Sequence, residues 1–226
     1  MDQIVELFKA VGLGLTLMLP LANPLTSVTL LLSLGGNLPL KERNRQITQA
    51  AIYVVAIMLV TYFAGYWMMQ SFGVSIPGLR IAGGLIVAFI GFTMLFPTHS
   101  VSDIPEAEAN AEAVNRRKHV NIAFVPLALP GTAGPGTIAF IISAAASTQP
   151  GTVPFTNLTL MFAPVMVFTL LGVIFWVCLR SAGRIVRFIG EGGVEAIARV
   201  MGFLLVCMGV QFVINGVLEI VAQYGA

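Results

Sequence analysis

The sequence predicts an all-α integral membrane protein whose six transmembrane helices form a 3+3 inverted repeat. Three observations support this prediction. Hydrophobic residues make up 57% of the 226 residues and charged residues only 10%, whereas about a quarter of the residues of a soluble domain are charged. Six apolar runs are long enough to cross a bilayer. One proline-containing motif occurs twice, in the first run and in the fourth.

Each apolar run is predicted to be a helix, because backbone groups in lipid must be hydrogen-bonded within their own segment and the runs lack strand alternation. About 20 residues cross a bilayer. The first and fourth runs are longer than this and contain prolines, so helices 1 and 4 are predicted to be discontinuous. The six spans cover about residues 5–34, 47–69, 76–96, 120–147, 158–179 and 196–221.

The distribution of charge predicts the orientation of these spans. The chain divides into a first three-helix repeat over residues 1–97, a linker over 98–119 and a second three-helix repeat over 120–226. Of the 12 Lys and Arg residues, only Lys9 and Arg80 fall on one predicted side, and the others fall in or beside the loops after spans one, three and five. Because cationic loops stay in the cytoplasm, the linker is predicted to be cytoplasmic and both termini periplasmic.

An internal repeat is the most specific feature of the sequence. Residues 20–26 (PLANPLT) match residues 126–132 (PLALPGT), and residues 80–83 (RIAG) match residues 199–202 (RVMG). Chance similarity between low-complexity membrane segments is the alternative, but two prolines and a threonine in fixed register favour duplication. With three spans in each half, the second half must enter the membrane from the opposite side, as in many secondary transporters.

The prolines predict exposed hydrogen-bonding groups at both breaks. A proline within a helix frees the carbonyl four residues before it, so Pro24 is predicted to free the carbonyl of Pro20, and Pro126 that of Ile122. Each new half-helix would present N–H groups and a positive dipole end, which favour an anion. Carbonyls for an ammonium group and N–H groups for a carboxylate together suit a small zwitterion.

The residues around the two breaks form the predicted substrate site. Asn23 breaks the symmetry of the repeat, since Leu129 stands at the matching position, and its amide can donate and accept hydrogen bonds. The alternative is that each break is only a structural kink whose freed groups are satisfied by neighbouring helices. The predicted substrate-binding residues are Asn23, Pro24, Thr26, Ser27, Pro130, Thr132, Gly134, Gly136 and Thr137.

The sixth span carries Gln211, Asn215 and Glu219 at four-residue spacing, which places them on one helix face. Polar side chains in lipid usually turn inward, so Gln211 and Asn215 are candidate residues of a permeation path. The alternative is that Glu219 lies at the outer membrane surface and Gln211 joins helices. Arg80 is expected to snorkel or to pair near an interface.

No motif indicates an enzyme. The two cysteines, Cys178 and Cys207, lie in apolar runs without zinc-ligand or disulfide spacing, and no catalytic triad or phosphate loop occurs. We therefore expect no metal, no cofactor and no nucleic-acid partner. The expected partners are a small zwitterionic solute and membrane lipid, and the oligomeric state stays open.

Four stretches carry a resemblance to a known family: residues 19–26, 76–84, 130–138 and 201–211. At these residues the sequence resembles the MarC family of bacterial inner-membrane proteins. The resemblance implies a multi-pass protein of the inner membrane, in a family that includes transporters of glycine, alanine or serine. It also implies site roles for six of the residues named above: Asn23, Pro24, Thr26, Pro130, Thr132 and Gly134.

These observations favour a secondary transporter or exporter of small neutral amino acids that works by alternating access around the paired breaks. Antibiotic or drug efflux is one alternative; the family is named after an antibiotic-resistance locus. A polyspecific pump is expected to have a roomier pocket lined with aromatic residues. A membrane scaffold without transport activity, with the linker 98–119 as its binding surface, is the other alternative.

Overall fold

The structure, a computed structural model, describes residues 2–35, 38–96, 121–129, 132–147 and 156–224, and within these ranges it is helical, without strands. The linker 98–119 and Pro130 lie outside the described residues. The elements are α1 (Asp2–Ala22), α2 (Pro24–Gly35), α3 (Leu40–Ser71), α4 (Ile76–Leu95), a π-helical turn (Ala123–Ala128), α5 (Pro135–Ser147), α6 (Asn157–Arg180), α7 (Ala182–Ile189) and α8 (Glu191–Tyr224). The predicted all-α class is confirmed for the described chain.

Five stretches of the described chain are long and apolar enough to cross a membrane: Gln3–Leu34, Leu40–Gly65, Ile76–Leu95, Leu158–Arg180 and Gly192–Ala222. The predicted fourth span is not among them. It consists of the π-helical turn and α5, and the 13 residues of α5 extend only about 20 Å at the usual helical rise. The fourth predicted span is therefore two short elements rather than one membrane-crossing helix.

The first break lies at Asn23, between α1 and α2. Asn23 has a positive φ of 23°, a conformation that asparagine tolerates better than most residues. Pro24 is the first residue of α2, where the missing N–H of proline costs no hydrogen bond. Pro24 therefore begins a helix and does not interrupt one, in contrast to the arrangement that the sequence predicted.

The second break has a different geometry. Val125 is extended, with φ −121° and ψ 125°, inside the π-helical turn. Because Pro126 has no N–H, the carbonyl of Ile122 accepts instead from the N–H of Leu127 at 3.2 Å. The prediction that Pro126 leaves this carbonyl free is therefore wrong, since a bond to the fifth residue along replaces the missing one.

Helices α4 and α8 are in backbone contact. Gly84 faces Gly209 and Gly91 faces Gly202, and a Cβ at Gly84 would lie 2.6 Å from the carbonyl oxygen of Gly209. Residue numbers rise along one helix as they fall along the other, so the helices are antiparallel. Small residues permit such close approach, which drives helix association where water provides no hydrophobic force.

The largest buried side chains lie between α2, α3, α5 and α6, and they include Leu31, Met58, Ile141 and Phe175. Large apolar side chains also cover the outer faces of the long helices, as expected for surfaces in contact with lipid acyl chains. This arrangement leaves the two breaks inside the helix bundle, where buried polar groups need partners from the protein.

Candidate functional site

The two breaks meet through their hydroxyl groups. Ser27 is 0% exposed and Thr132 is 2% exposed, and their hydroxyl oxygens lie 3.0 Å apart. The Ser27 hydroxyl also donates to the carbonyl of Leu127 at 3.3 Å. Because Ser27 has one proton to donate, Thr132 is the donor between the two hydroxyls. The residue that follows the first copy of the motif is thus hydrogen-bonded to the second copy, as converging breaks require.

The second break is closed by local hydrogen bonds. Thr137, which is buried, donates its hydroxyl to the carbonyl of Thr132 at 3.1 Å. The N–H of Thr132 in turn donates to the carbonyl of Ala128 at 3.3 Å. Gly134 and Gly136 are both buried. A Cβ at Gly136 would lie 2.9 Å from a methyl group of Val87 on α4, so the start of α5 presses against α4.

Asn23 offers the most available polar group at this junction. Its side chain is 5% exposed, and its amide nitrogen lies 3.7 Å from the sulfur of Met94. A thioether is a weak acceptor, and no stronger partner of this amide occurs among the described residues. The amide can therefore leave the sulfur and donate to a carboxylate or carbonyl oxygen of a ligand at little cost in free energy.

Two helix N-termini lie at the same junction. Pro24 and Thr26, both half-buried, are in the first turn of α2, and α5 begins three residues after Thr132. Backbone N–H groups and the positive end of the helix dipole favour an anionic group at such a position. The contacts of Ser27 and Thr132 therefore bring two dipole ends to one place.

A residue outside the predicted site holds the second break in position. Gln46 on α3 is 2% exposed, and its carbonyl oxygen accepts the N–H of Ile122 at 3.0 Å. Its amide nitrogen donates to the Glu42 carboxylate at 3.1 Å. This role was missed in the sequence, because Gln46 precedes the predicted second span and follows several charged residues, as a solvated residue would.

Gln211 and Asn215 are not brought to this junction. Both are exposed on α8, and the Gln211 amide nitrogen donates to the Asn215 oxygen at 2.9 Å. The sequence predicted that these side chains turn inward, but they face outward, because the glycines that pack on α4 lie on the opposite side of α8. A permeation role for the pair remains a prediction.

Arg80 and Glu219 form an ion pair between α4 and α8. The Arg80 guanidinium lies 2.6 Å from the Glu219 carboxylate, and its Nε donates to the Ser143 hydroxyl of α5 at 2.9 Å. The side chains are 18% and 32% exposed. The expectation that Arg80 pairs is confirmed, and the pair ties together one end of α4, α5 and α8.

An apolar cavity of about 280 Å³ lies beside the junction. Its wall includes Met18 of α1, Tyr62 of α3, Phe140 of α5 and Phe168 of α6. Phe140 is three residues beyond Thr137, so the cavity reaches within one helical turn of the polar cluster. Its volume is close to the lower limit of typical small-molecule sites.

No group of three or more His, Cys, Asp and Glu side chains suited to a metal occurs among the described residues.

Comparison with known proteins agrees with the motifs. A sequence model described as the MarC family of integral membrane proteins matches residues 8–221. The UPF0056 inner membrane protein MarC of Escherichia coli is 59% identical over 221 residues, covering 98% of this chain and 100% of that protein. The protein of the same name from Shigella flexneri has the same identity and coverage. No solved structure matches the chain significantly.

Proposed function

Because the chain belongs to the MarC family of integral membrane proteins, we propose that it is a secondary transporter or exporter of small neutral amino acids in the bacterial inner membrane. The observation that carries this proposal is the hydrogen bond between Ser27 and Thr132, which joins the two broken helices. Broken helices that meet inside a bundle are the usual site for small solutes in secondary transporters.

The proposed architecture is six spans in two inverted halves, residues 1–97 and 120–226, joined by the cytoplasmic linker 98–119, with both termini in the periplasm. The antiparallel contact of α4 and α8 supports the inversion. The middle of that contact falls between residues 87 and 88 on α4 and between 205 and 206 on α8, within one residue of the positions that the offset of 119 residues between Arg80 and Arg199 makes equivalent. Equivalent helices that cross at equivalent residues are expected around a pseudo-two-fold axis.

The chemistry of the junction supports a zwitterion of the glycine, alanine or serine class. The polar side chains at the junction, Asn23, Ser27, Thr132 and Thr137, are all uncharged. A substrate with a charged side chain would leave that charge without a counter-ion, which is costly in a buried site. The carboxylate of a small amino acid can instead interact with the N-termini of α2 and α5, and its ammonium group with hydroxyl and carbonyl oxygens.

A second candidate function is efflux of apolar compounds, and the cavity beside the junction favours it. Tyr62, Phe140 and Phe168 give that cavity an aromatic wall, which suits a flat apolar ligand better than a zwitterion. The two functions predict different sensitive residues. An amino-acid transporter should depend on the hydroxyl cluster, whereas an efflux protein should depend on the cavity.

Flux measurements in reconstituted liposomes test the proposal. We expect uptake of labelled glycine or alanine, with a loss of about tenfold for Thr132→Val, equivalent to about 1.4 kcal/mol for one buried hydrogen bond. Thr93→Val is the matched control, because the Thr93 hydroxyl is exposed and bonds only its own helix, at 2.8 Å to the carbonyl of Ile90. Flux of both amino acids equal to that of empty liposomes would overturn the leading function.

The same liposomes distinguish the second candidate. Chloramphenicol serves as an apolar drug, and Ala163→Phe fills the cavity beside α6, where Ala163 lines the wall. Drug flux that is lost in Ala163→Phe and unchanged in Thr132→Val would favour efflux. The reverse pattern, measured with glycine, would favour amino-acid transport.

A further inference from the structure

Helix α8 exposes polar side chains in the middle of an apolar span. Cys207, Gln211 and Asn215 are exposed within the span Gly192–Ala222. At 3.6 residues per turn, Gln211 points roughly 160° away from Gly209, which contacts the backbone of α4. The amides therefore lie on the side of α8 that cannot face α4 in the same copy.

These amides are far from the polar end of the helix. Glu219, which pairs with Arg80, lies in the last two turns of α8, near the predicted outer interface. Gln211 lies eight residues before Glu219, which is about 12 Å along the helix axis and inside the hydrocarbon. The bond between Gln211 and Asn215 uses one donor and one acceptor, although each amide has two N–H donors and a carbonyl. No other described residue pairs with the remaining groups, and lipid acyl chains offer no hydrogen bonds.

We propose that this face of α8 is the interface with a second copy of the same chain. Two copies in one membrane have the same orientation, so a two-fold axis along the membrane normal places each residue of the face opposite itself. An amide both donates and accepts, so it can pair with its own copy. Association of two such helices satisfies the groups that lipid leaves without partners.

The spacing of the exposed side chains supports a second copy over other occupants. Seven of the exposed residues of α8 are spaced at alternating steps of four and three: Val200, Leu204, Cys207, Gln211, Ile214, Leu218 and Val221. The exposed Phe203, Val210 and Val217 flank them. This is the heptad spacing at which two parallel helices pack side chains of one into gaps of the other. A single polar residue within such an apolar seam fixes the register of the two copies.

Cysteine cross-linking tests the interface in native-like membranes. The chain has two cysteines, so Cys178→Ala leaves Cys207 as a reporter within the seam, opposite the Cys207 of a second copy. Oxidation with copper phenanthroline is expected to give a disulfide-linked dimer. The matched control moves the reporter to α6 through Val173→Cys in a chain that also carries Cys178→Ala and Cys207→Ala, because Val173 is exposed on another helix.

Substitution of the amides tests what holds the copies together. Gln211→Leu with Asn215→Leu is expected to weaken association about tenfold when the protein is diluted with lipid, because interhelical hydrogen bonds are lost. Gln211→Asn should retain association. Val173→Gln added to Gln211→Leu should not restore it, since Val173 is exposed on another helix. Gln211 and Asn215 are exposed, so these variants are expected to fold, and their thermal unfolding in detergent provides a check.

Single-molecule counting of bleaching steps in liposomes measures association without the cysteine. Two steps per particle at low protein density would support the proposal. The proposal would be overturned by single steps at every density, by cross-linking at Cys207 no greater than at Val173→Cys, or by a cross-link to a protein of another mass. The interface does not depend on the transported substrate, so it can stand or fall separately from the proposed function.

Discussion

Substitution of Gly209 by alanine tests whether α4 and α8 are in backbone contact. A Cβ at residue 209 would lie 2.5 Å from both the carbonyl oxygen of Gly84 and the backbone nitrogen of Ala88, whereas ordinary contacts begin at 3.4 Å. Backbone atoms cannot turn aside as a flexible side chain can. The two helices would therefore have to separate by about 0.9 Å at this point, which forfeits much of the dispersion energy of nearby contacts.

Two effects of opposite sign determine the result. Overpacking of a well-packed contact costs about 3 kcal/mol at the upper end of its usual range, while alanine in place of glycine within a helix contributes about 1 kcal/mol. The steric cost is larger, so we expect Gly209→Ala to lower the free energy of unfolding by about 2 kcal/mol. For a chain of this length that corresponds to a fall in Tm of about 4–8 °C.

Thermal unfolding of the purified protein, followed by size-exclusion chromatography after heating, measures the effect. Gly12→Ala is the matched control, because Gly12 lies within α1 and nothing stands within 4 Å of a Cβ at that position. The control should raise Tm by about 2–4 °C through helix propensity alone. An increase in Tm of similar size for Gly209→Ala would refute the proposed contact.

Three further predictions concern the junction and its supports. Ser27→Cys with Thr132→Cys, in a chain without other cysteines, should form a disulfide that stops glycine flux until it is reduced; unchanged flux after oxidation would show that the junction need not open. Arg80→Gln should lower Tm more than the double variant with Glu219→Gln, because the single change leaves a partly buried carboxylate without a partner, and equal losses would contradict this. Gln46→Leu should lower the free energy of unfolding by about 1–3 kcal/mol in denaturant, because the N–H of Ile122 loses its acceptor, and an unchanged free energy of unfolding would contradict this.

The sequence predicted the place of the junction because proline and glycine act locally. The five identities between residues 20–26 and 126–132 locate two breaks, and the structure has one at Asn23, within the first motif, and one at Val125, one residue before the second. The prediction that polar side chains from the two motifs meet also agrees with the bond between Ser27 and Thr132. These features follow from backbone chemistry that each segment carries in itself.

Features that depend on neighbouring helices could not be predicted in the same way. The carbonyl of Ile122 was expected to be free, but in the π-helical turn it accepts the N–H of Leu127. The same residue is also held from outside the turn, because Gln46 on α3 accepts the N–H of Ile122. The outward direction of Gln211 depends on which side of α8 packs against α4. Four-residue spacing identifies a shared face, but only the packing decides where that face points.

The contacts also limit how the two halves could move. Gly84 and Gly209 interlock by backbone atoms, so a sliding motion of α8 along α4 would force Cβ-bearing residues into the same narrow space. Rotation about the crossing point avoids these clashes, because the closest atoms stay near the axis. The Ser27–Thr132 bond joins elements away from that pair of helices, and one hydrogen bond contributes only about 1 kcal/mol. In the proposed alternating access, the α4–α8 contact therefore suits a pivot, and we expect the junction of the two breaks to be the place that opens.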